Sequence, residues 1–214
     1  MGNEYEIKVL DVDVAFMCQL LVILGFQMVH NTVRYYRVVY HMASSDIHGF
    51  VKIRDENGRV FMTSKRYDKN LDYPEEFEFE IVGTIDDAMK FMASIGMVMK
   101  AYHVTRRMKW IHDKMPDLHE IVFDTIPGIP TYMEIDCGKE ELLNNLIEVL
   151  GINKDKIRKG GYDRTYNEYY GIELDDINNR TPNLTFKGII DEISHKVTKN
   201  QELLVKMAEI QSDF

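Results

Sequence analysis

Acidic and basic side chains alternate with apolar ones in several short segments of this 214-residue chain. In the stretch EYEIK, an extended strand would place Glu4, Glu6 and Lys8 on one side and apolar side chains on the other. Carboxylates this close repel one another unless a cation joins them, and hard divalent ions prefer oxygen ligands. If the charged side faces inward, such a strand could therefore help to hold a metal ion and, through its lysine, a phosphate.

The same alternation occurs in later segments, where each strand carries mostly one sign of charge. Adjacent like charges on a free surface repel, so this segregation favours a functional interior over an ordinary solvated face. Alternation alone is equally typical of an ordinary sheet whose charged face is exposed to solvent, and this stays as the alternative. The acidic positions are Glu78, Glu80, Asp124, Glu134 and Asp136, and the basic positions are Lys52, Arg54, Lys65, Arg107 and Lys109.

Short alternating runs rich in aromatic and β-branched residues predict eight strands, and three amphipathic patterns predict helices between them. The predicted helices cover residues 13–24, 85–95 and 139–150. Beyond residue 155 the pattern indicates a short helix within GYDRTYNEYYGIEL and a long amphipathic helix over residues 188–211. The predicted strands are residues 3–11, 28–41, 48–55, 59–66, 75–83, 100–112, 119–125 and 130–137.

The predicted fold is α+β, because eight antiparallel strands can remove their unpaired edges by closing into a barrel. Helices would cover the apolar outside of this eight-stranded antiparallel β-barrel, and the charged faces would then line the inside. The barrel is assigned to residues 1–155, and residues 156–214 are predicted to form a helical C-terminal extension packed on it.

Composition narrows the classes of partner. The formal net charge of −9 argues against an extended nucleic-acid-binding surface. The most apolar run, residues 14–29, contains two Gln and one Gly and is too short to span a bilayer comfortably, so no membrane association is predicted. The two cysteines, Cys18 and Cys137, lie far apart and form no motif. We therefore expect a cytoplasmic protein with reduced thiols.

The predicted interior holds seven acids and six bases, so one or two divalent ions would make it net positive. A polyanion of several charges would then complete it, and Lys and Arg suit phosphate oxygens. The implied ligand is a triphosphate together with Mg²⁺ or Mn²⁺. The candidate metal ligands are Glu4, Glu6, Glu78, Glu80, Asp124, Glu134 and Asp136, and the candidate triphosphate-binding residues are Lys8, Lys52, Arg54, Lys65, Arg107 and Lys109.

Six motifs occur in the order and spacing of one known family. These are EYEIK, VKIR, FMTSKR, EFEFE, RRMKW and VFDTIPGIPTYMEID. Over roughly residues 3–172 the chain resembles the CYTH superfamily, the triphosphate tunnel metalloenzymes, which include class IV adenylate cyclases, thiamine triphosphatases, inorganic triphosphatases and RNA triphosphatases. In this chain Lys52 and Lys109 stand where Arg is commoner, and Asp136 stands where Glu is expected. Residues 173–214 have no counterpart in the resemblance.

The resemblance implies a tunnel in which basic residues grip a triphosphate while acids hold the metal, with Glu6, Lys8 and Lys65 as catalytic residues. If water attacks the terminal phosphorus, the activity is triphosphate hydrolysis, and the substrate is inorganic triphosphate or a nucleoside or other organic triphosphate such as ATP. If a ribose hydroxyl attacks the α-phosphorus, the chain is a nucleotidyl cyclase that makes cyclic AMP. No adenine-binding motif is recognisable, so hydrolysis is favoured. A non-catalytic phosphate-binding module, and a homodimer formed through the C-terminal helix, stay as alternatives.

Overall fold

The computed structural model describes residues 5–67 and 75–212, which contain ten strands and seven α-helices. The strands are β1 (Tyr5–Val9), β2 (Gln27–His41), β3 (Gly49–Glu56), β4 (Arg59–Arg66), β5 (Glu75–Ile81), β6 (Met99–Ile111), β7 (Leu118–Thr125), β8 (Tyr132–Cys137), β9 (Ile157–Arg158) and β10 (Asn183–Leu184). The helices are α1 (Val14–Ile23), α2 (Ile85–Ser94), α3 (Glu140–Val149), α4 (Tyr162–Tyr170), α5 (Leu174–Arg180), α6 (Ile189–Ile193) and α7 (Gln201–Ser212).

All ten strands belong to one sheet in the order β5-β4-β3-β2-β6-β7-β8-β1-β9, with β10 paired in parallel to β6. The other ladders are antiparallel, so the predicted α+β class is confirmed. The predicted closed, eight-stranded barrel is wrong, because no ladder joins β5 to β1 or β9 within the described part of the chain. The free side of β1 is instead taken by β9, which the C-terminal extension supplies.

Helices cover the apolar outer face of the sheet, as alternation predicts. Leu21 of α1 and Leu146 of α3 are buried in one cluster with Ile7 and Ile135 of β1 and β8. A second cluster joins Met92 of α2 to neighbouring strands β2 to β4. Because these clusters occupy the outer face, the charged side chains of the same strands lie on the inner face.

The predicted long helix over residues 188–211 is also wrong, because non-α-helical residues interrupt it between α6 and α7. The backbone N–H groups of Thr198 and Lys199 donate to the carbonyl of Tyr170 at 2.9 and 3.3 Å. Asn200 adopts a left-handed φ of 57°, and its Nδ2 donates to the carbonyl of Tyr169 at 2.8 Å. These bonds to the end of α4 replace the intrahelical bonds that a continuous helix would make.

The C-terminal extension grips the loop between β7 and β8. Tyr166 Oη donates to the carbonyl of Pro127 at 2.6 Å, and Tyr170 Oη donates to that of Gly128. Gln211, buried at the end of α7, accepts from Gly128 N at 2.7 Å and donates to the carbonyl of Ile129 at 2.7 Å. Hydrogen bonds from the extension therefore hold the loop between β7 and β8 in place.

Among the described helices, none has the length and apolar character needed to cross a bilayer. Cys18 and Cys137 are both free thiols, and Cys137 is buried.

Candidate active site

A cavity of about 220 Å³ lies inside the curved sheet and is lined by its inner face and by α4. Glu6 of β1 and Arg54 of β3 both line it, although four strands separate β1 from β3 in the sheet order. The sheet therefore curls enough to bring distant strands together without closing. Its charged lining residues are the carboxylates Glu6, Glu56, Asp124 and Glu134 and the cations Lys8, Arg37, Arg54 and Arg107.

Lys8 lies between two of these carboxylates. Its side chain is only 7% exposed, and its Nζ forms ion pairs with Glu6 and, at 3.0 Å, with Glu134. Glu134 is its direct cross-strand partner on β8, which explains the contact. Burial lowers the pKa of Lys8, but the carboxylates of Glu134 and Glu6 raise it by more, so the pKa lies above its ordinary value. Lys8 is therefore a fixed positive charge in the cavity.

Arg107 occupies the neighbouring position on the same wall. Its Nε and Nη2 donate to the two carboxylate oxygens of Asp124 at 2.7 and 2.6 Å, a bidentate pair. Its Nη1 donates to Glu120 at 2.9 Å, and Nη2 lies 3.8 Å from Glu134. Although burial lowers the pKa of Arg107, these acids raise it above the ordinary value. Lys109 also forms an ion pair with Glu120.

On the opposite wall, Arg54 connects two acids. Its Nη1 lies 2.7 Å from Glu56, and its Nη2 donates to Glu78 at 2.7 Å. The hydroxyl of Thr63 also donates to Glu78, at 2.6 Å. Burial raises the pKa of Glu78, but the bonds from Thr63 and Arg54 outweigh it and hold the pKa below its ordinary value. Glu78 therefore stays ionised and positions Arg54.

Two cations on this wall have no carboxylate in salt-bridge contact within the described residues, Arg37 and Lys52. Arg37 lies directly opposite Arg54 across β2 and β3. Burial, together with the charges of Arg54 and Arg37, lowers the pKa of Lys52 to about 8. This wall therefore carries two cations that no salt bridge among the described residues neutralises.

The other predicted site residues that the structure describes lie away from the lining of this cavity. Lys65 lies 3.2 Å from Glu76, and the exposed Glu80 is held by Arg59 at 2.6 Å. Asp136 contacts His119 Nδ1 at 3.1 Å. Glu4 falls outside the described residues. The assignment of each residue as a ligand or catalyst stays a prediction.

The predicted site omits three polar residues of this region, Arg37, Glu120 and His103. For Arg37 the sequence leaves a place in the interior and one on the surface equally open. Strict alternation could have found Glu120, which shares a face with Asp124 in the run EIVFD. Arg37 and Arg34 are three positions apart, so alternation puts them on opposite faces of β2. Only Arg37 lines the cavity. No pattern in the sequence indicates His103, because its place in the cavity lining depends on packing against α4.

The acids that line the cavity supply carboxylate oxygens, which are the ligands that a hard divalent ion prefers. Burial and the nearby acids Asp124 and Glu6, opposed by Lys8, raise the pKa of Glu134 to about 7. A cation would relieve this crowding of carboxylates. Within the described residues, however, no three such donors are gathered at one point. Lys8 forms ion pairs with Glu6 and Glu134, and Arg107 forms one with Asp124.

The architecture matches that of several solved structures. The PH1819 protein of Pyrococcus horikoshii is 21% identical with a TM-score of 0.52, and the alignment covers 78% of this chain and 99% of that one. A conserved hypothetical protein of Pyrococcus furiosus is 18% identical with a TM-score of 0.55, covering 75% and 98%. A protein from Vibrio parahaemolyticus, described as a candidate adenylate cyclase, is 12% identical with a TM-score of 0.57, covering 77% and 98%.

This chain has their fold. The fold spans nearly the whole length of each of those proteins, and roughly a quarter of the present chain lies beyond it. At these identities the likeness concerns the fold alone, and it agrees with the fold that the motifs imply. No protein-family model matches the chain, and no curated protein matches it.

Proposed function

We propose that this chain is a metal-dependent phosphohydrolase that cleaves a triphosphate inside the cavity of its curved sheet, with Mg²⁺ or Mn²⁺ as the metal. The observation that carries the proposal is the assembly of Lys8, Arg54 and Arg107 around one cavity together with the acids Glu6 and Glu134. Cations that converge from three separate strands suit a polyanion, because each can contact a different phosphate.

Arginine and lysine would have distinct tasks in this mechanism. Arg54 and Arg107 are positioned by carboxylates on at least one side, so their guanidinium groups are held in place before a substrate enters. Lys8 adds a buried charge beside them. Together they would offset the negative charge that develops on the phosphoryl oxygens during transfer. We assign the same task to Lys65, which lies near the C-terminal end of β4.

The carboxylates of Glu6, Asp124 and Glu134, with Glu4, are the proposed holders of the metal. When bound, the metal would polarise a phosphoryl oxygen and help to orient the attacking water. Binding requires the ion pairs of Lys8 to rearrange, since Lys8 now contacts Glu6 and Glu134. A triphosphate gives Lys8 a new set of oxygens, so substrate and metal would bind cooperatively.

A nucleotidyl cyclase is the second candidate, and the aromatic wall of the cavity favours it. Tyr35, Tyr36, Tyr132 and Tyr162 line the cavity, and such rings can stack on a nucleobase. The Vibrio protein of the same fold is described as a candidate adenylate cyclase. Hydrolysis is preferred because no adenine-binding motif is recognisable in the sequence.

The deciding experiment is to incubate the protein with ATP and, separately, with inorganic triphosphate in Mg²⁺ or Mn²⁺, and to resolve the products. Hydrolysis predicts inorganic phosphate from one or both substrates and no cyclic AMP. Cyclic AMP with an equal amount of pyrophosphate would establish the cyclase instead. Tight binding of triphosphate without turnover in either metal would refute both activities and support a binding module.

A further inference from the structure

A second cavity of about 250 Å³ adjoins the first and has a different electrostatic character. Three cations, Arg37, Lys52 and Lys100, line it, and no Asp or Glu among the described residues does so. Lys100, like Arg37 and Lys52, takes part in no salt bridge within the described residues. Three cations gathered without a salt-bridge partner among the described residues are unfavourable unless an anion joins them.

His103 provides an independent sign of a ligand. It lines both cavities and is 7% exposed, and its Nε2 has no hydrogen-bond partner. A buried polar atom without a partner costs free energy, so such atoms are rare in native proteins. Burial, Arg37 and Lys100 lower the pKa of His103 to about 3, so the ring is neutral and can donate one N–H without adding charge. Arg37 is its direct cross-strand neighbour on β2.

The third component is the N-terminal end of α4, a nine-residue helix of the C-terminal extension. Gly161 and Tyr162 line the first cavity, and Tyr162 also lines the second and packs edge-on against His103. Gly161 is the N-cap and supplies no side chain to satisfy the first-turn amides. The one acid of that turn, Asp163, accepts a hydrogen bond from Asn178 Nδ2 at 2.8 Å.

We propose that Arg37, Lys52, Lys100, His103 and the N-terminus of α4 form a second anion subsite, which binds a phosphate or pyrophosphate group at the end of the cavity that the C-terminal extension covers. Its groups suit an unesterified phosphate: three cations, a neutral imidazole and the N-terminal end of a helix whose N-cap has no side chain. Part of this subsite comes from α4, so the extension contributes to ligand binding as well as to packing.

The phosphate has two sources, the terminal group of a bound triphosphate or free phosphate released by hydrolysis. The assignment of the subsite to the substrate path rests on the proposed function, whereas the anion site itself does not. Inhibition kinetics separate the sources. Inorganic phosphate that competes with triphosphate occupies the position of the substrate's terminal group, and non-competitive inhibition identifies a product site.

Calorimetric titration of the full chain with pyrophosphate in EDTA tests the subsite without requiring turnover. Wild type is expected to bind, and Arg37→Gln and Lys100→Gln are each expected to weaken binding about tenfold or more, the usual effect of losing a charged hydrogen-bond partner. The matched control is Arg34→Gln, which removes an arginine from the outward face of the same strand β2 and should leave pyrophosphate binding unchanged. Far-UV circular dichroism and thermal unfolding establish that each variant is folded.

Absence of pyrophosphate binding by wild type, or equal binding by wild type, Arg37→Gln and Lys100→Gln, would overturn the proposal. Failure of the proposed function has a different signature. If pyrophosphate binds through Arg37 and Lys100 but no triphosphate is hydrolysed, the subsite stands and the hydrolase does not. If triphosphate is hydrolysed and pyrophosphate binding ignores both substitutions, the hydrolase stands and the subsite does not.

Discussion

Arg37 and Arg54 lie directly opposite each other on β2 and β3, yet within the described residues only Arg54 is paired with carboxylates. Cross-strand like charges repel, so Arg37 makes the unliganded protein less stable than it would otherwise be. Functional sites commonly retain such unfavourable groups because a ligand compensates them. The balance between stability and binding at Arg37 can therefore be measured.

Replacing Arg37 with Gln should stabilise the unliganded protein while it weakens anion binding. Burial and the charge of Arg54 lower the pKa of Arg37, which shows that its charged form is disfavoured in the fold. We expect the free energy of unfolding to rise on the order of 1 kcal/mol, the scale of a screened like-charge contact. Urea unfolding of wild type, Arg37→Gln and the control Arg34→Gln measures this. A loss of stability confined to Arg37→Gln would show that Arg37 is structural.

Affinity for triphosphate should fall as the pH rises above about 8, because Lys52 then loses its proton. Its folded-state pKa is lowered to about 8, so it is charged at pH 7 and largely neutral at pH 9. The loss of one charged contact predicts about a tenfold weaker affinity between these values. In Lys52→Arg the guanidinium stays protonated, so the fall should disappear. Binding titrations at pH 7, 8 and 9 would contradict this if both proteins lost affinity equally.

Glu134 should make the metal-free protein less stable as the pH rises from about 4.5 to about 7. Its pKa is raised from 4.5 to about 7 in the folded state, so over this interval the folded protein binds more protons than the unfolded chain. The protonated side chain of Glu134 therefore stabilises the fold relative to its ionised form, and this stabilisation is lost above pH 7. The side chain in Glu134→Gln cannot ionise. The free energy of unfolding of this variant, relative to that of wild type, should therefore rise by about 1–3 kcal/mol between pH 4.5 and pH 8.

Thermal or urea unfolding in EDTA across this pH range measures the effect of Glu134→Gln. The matched control is Glu148→Gln, on the exposed face of α3, which should follow the wild-type pH profile. Parallel profiles for wild type and Glu134→Gln would mean that Glu134 is not desolvated in the cavity.

Gln211 should contribute to stability far more than its position near the end of α7 suggests. Its amide bonds to Gly128 N and to the carbonyl of Ile129, and it is 5% exposed. Gln211→Ala leaves these buried groups unpaired and should lower the free energy of unfolding by about 1–3 kcal/mol. Lys206→Ala, at an exposed position of the same helix, is the control. Equal stabilities for the two variants would show that α7 does not hold the loop.

The strands and the first three helices follow from sequence because each depends on a local pattern. The bounds of α1, α2 and α3 lie within one residue of the predicted ranges at each end. Alternation also placed Lys8, Arg54, Asp124 and Glu134 on one inner face, where the cavity now brings them together.

Features that depend on distant contacts could not be predicted in this way. The pairing of β9 with β1 is a contact across about 150 residues. The break between α6 and α7 depends on bonds to the end of α4, although the residues themselves keep a helical period. The pairing of Arg54 with Glu78 requires the sheet register, which alternation does not give.

Phosphate release from inorganic triphosphate in Mg²⁺ or Mn²⁺, compared between wild type and Arg54→Gln, tests the central claim most directly. Arg54→Gln removes a cation that the cavity positions through Glu56 and Glu78, while Arg66→Gln, at an exposed position of β4, is the matched control. We expect metal-dependent turnover by wild type and by Arg66→Gln, with kcat/KM at least tenfold lower in Arg54→Gln. Turnover that is absent from wild type, or that is unchanged in Arg54→Gln, would contradict it.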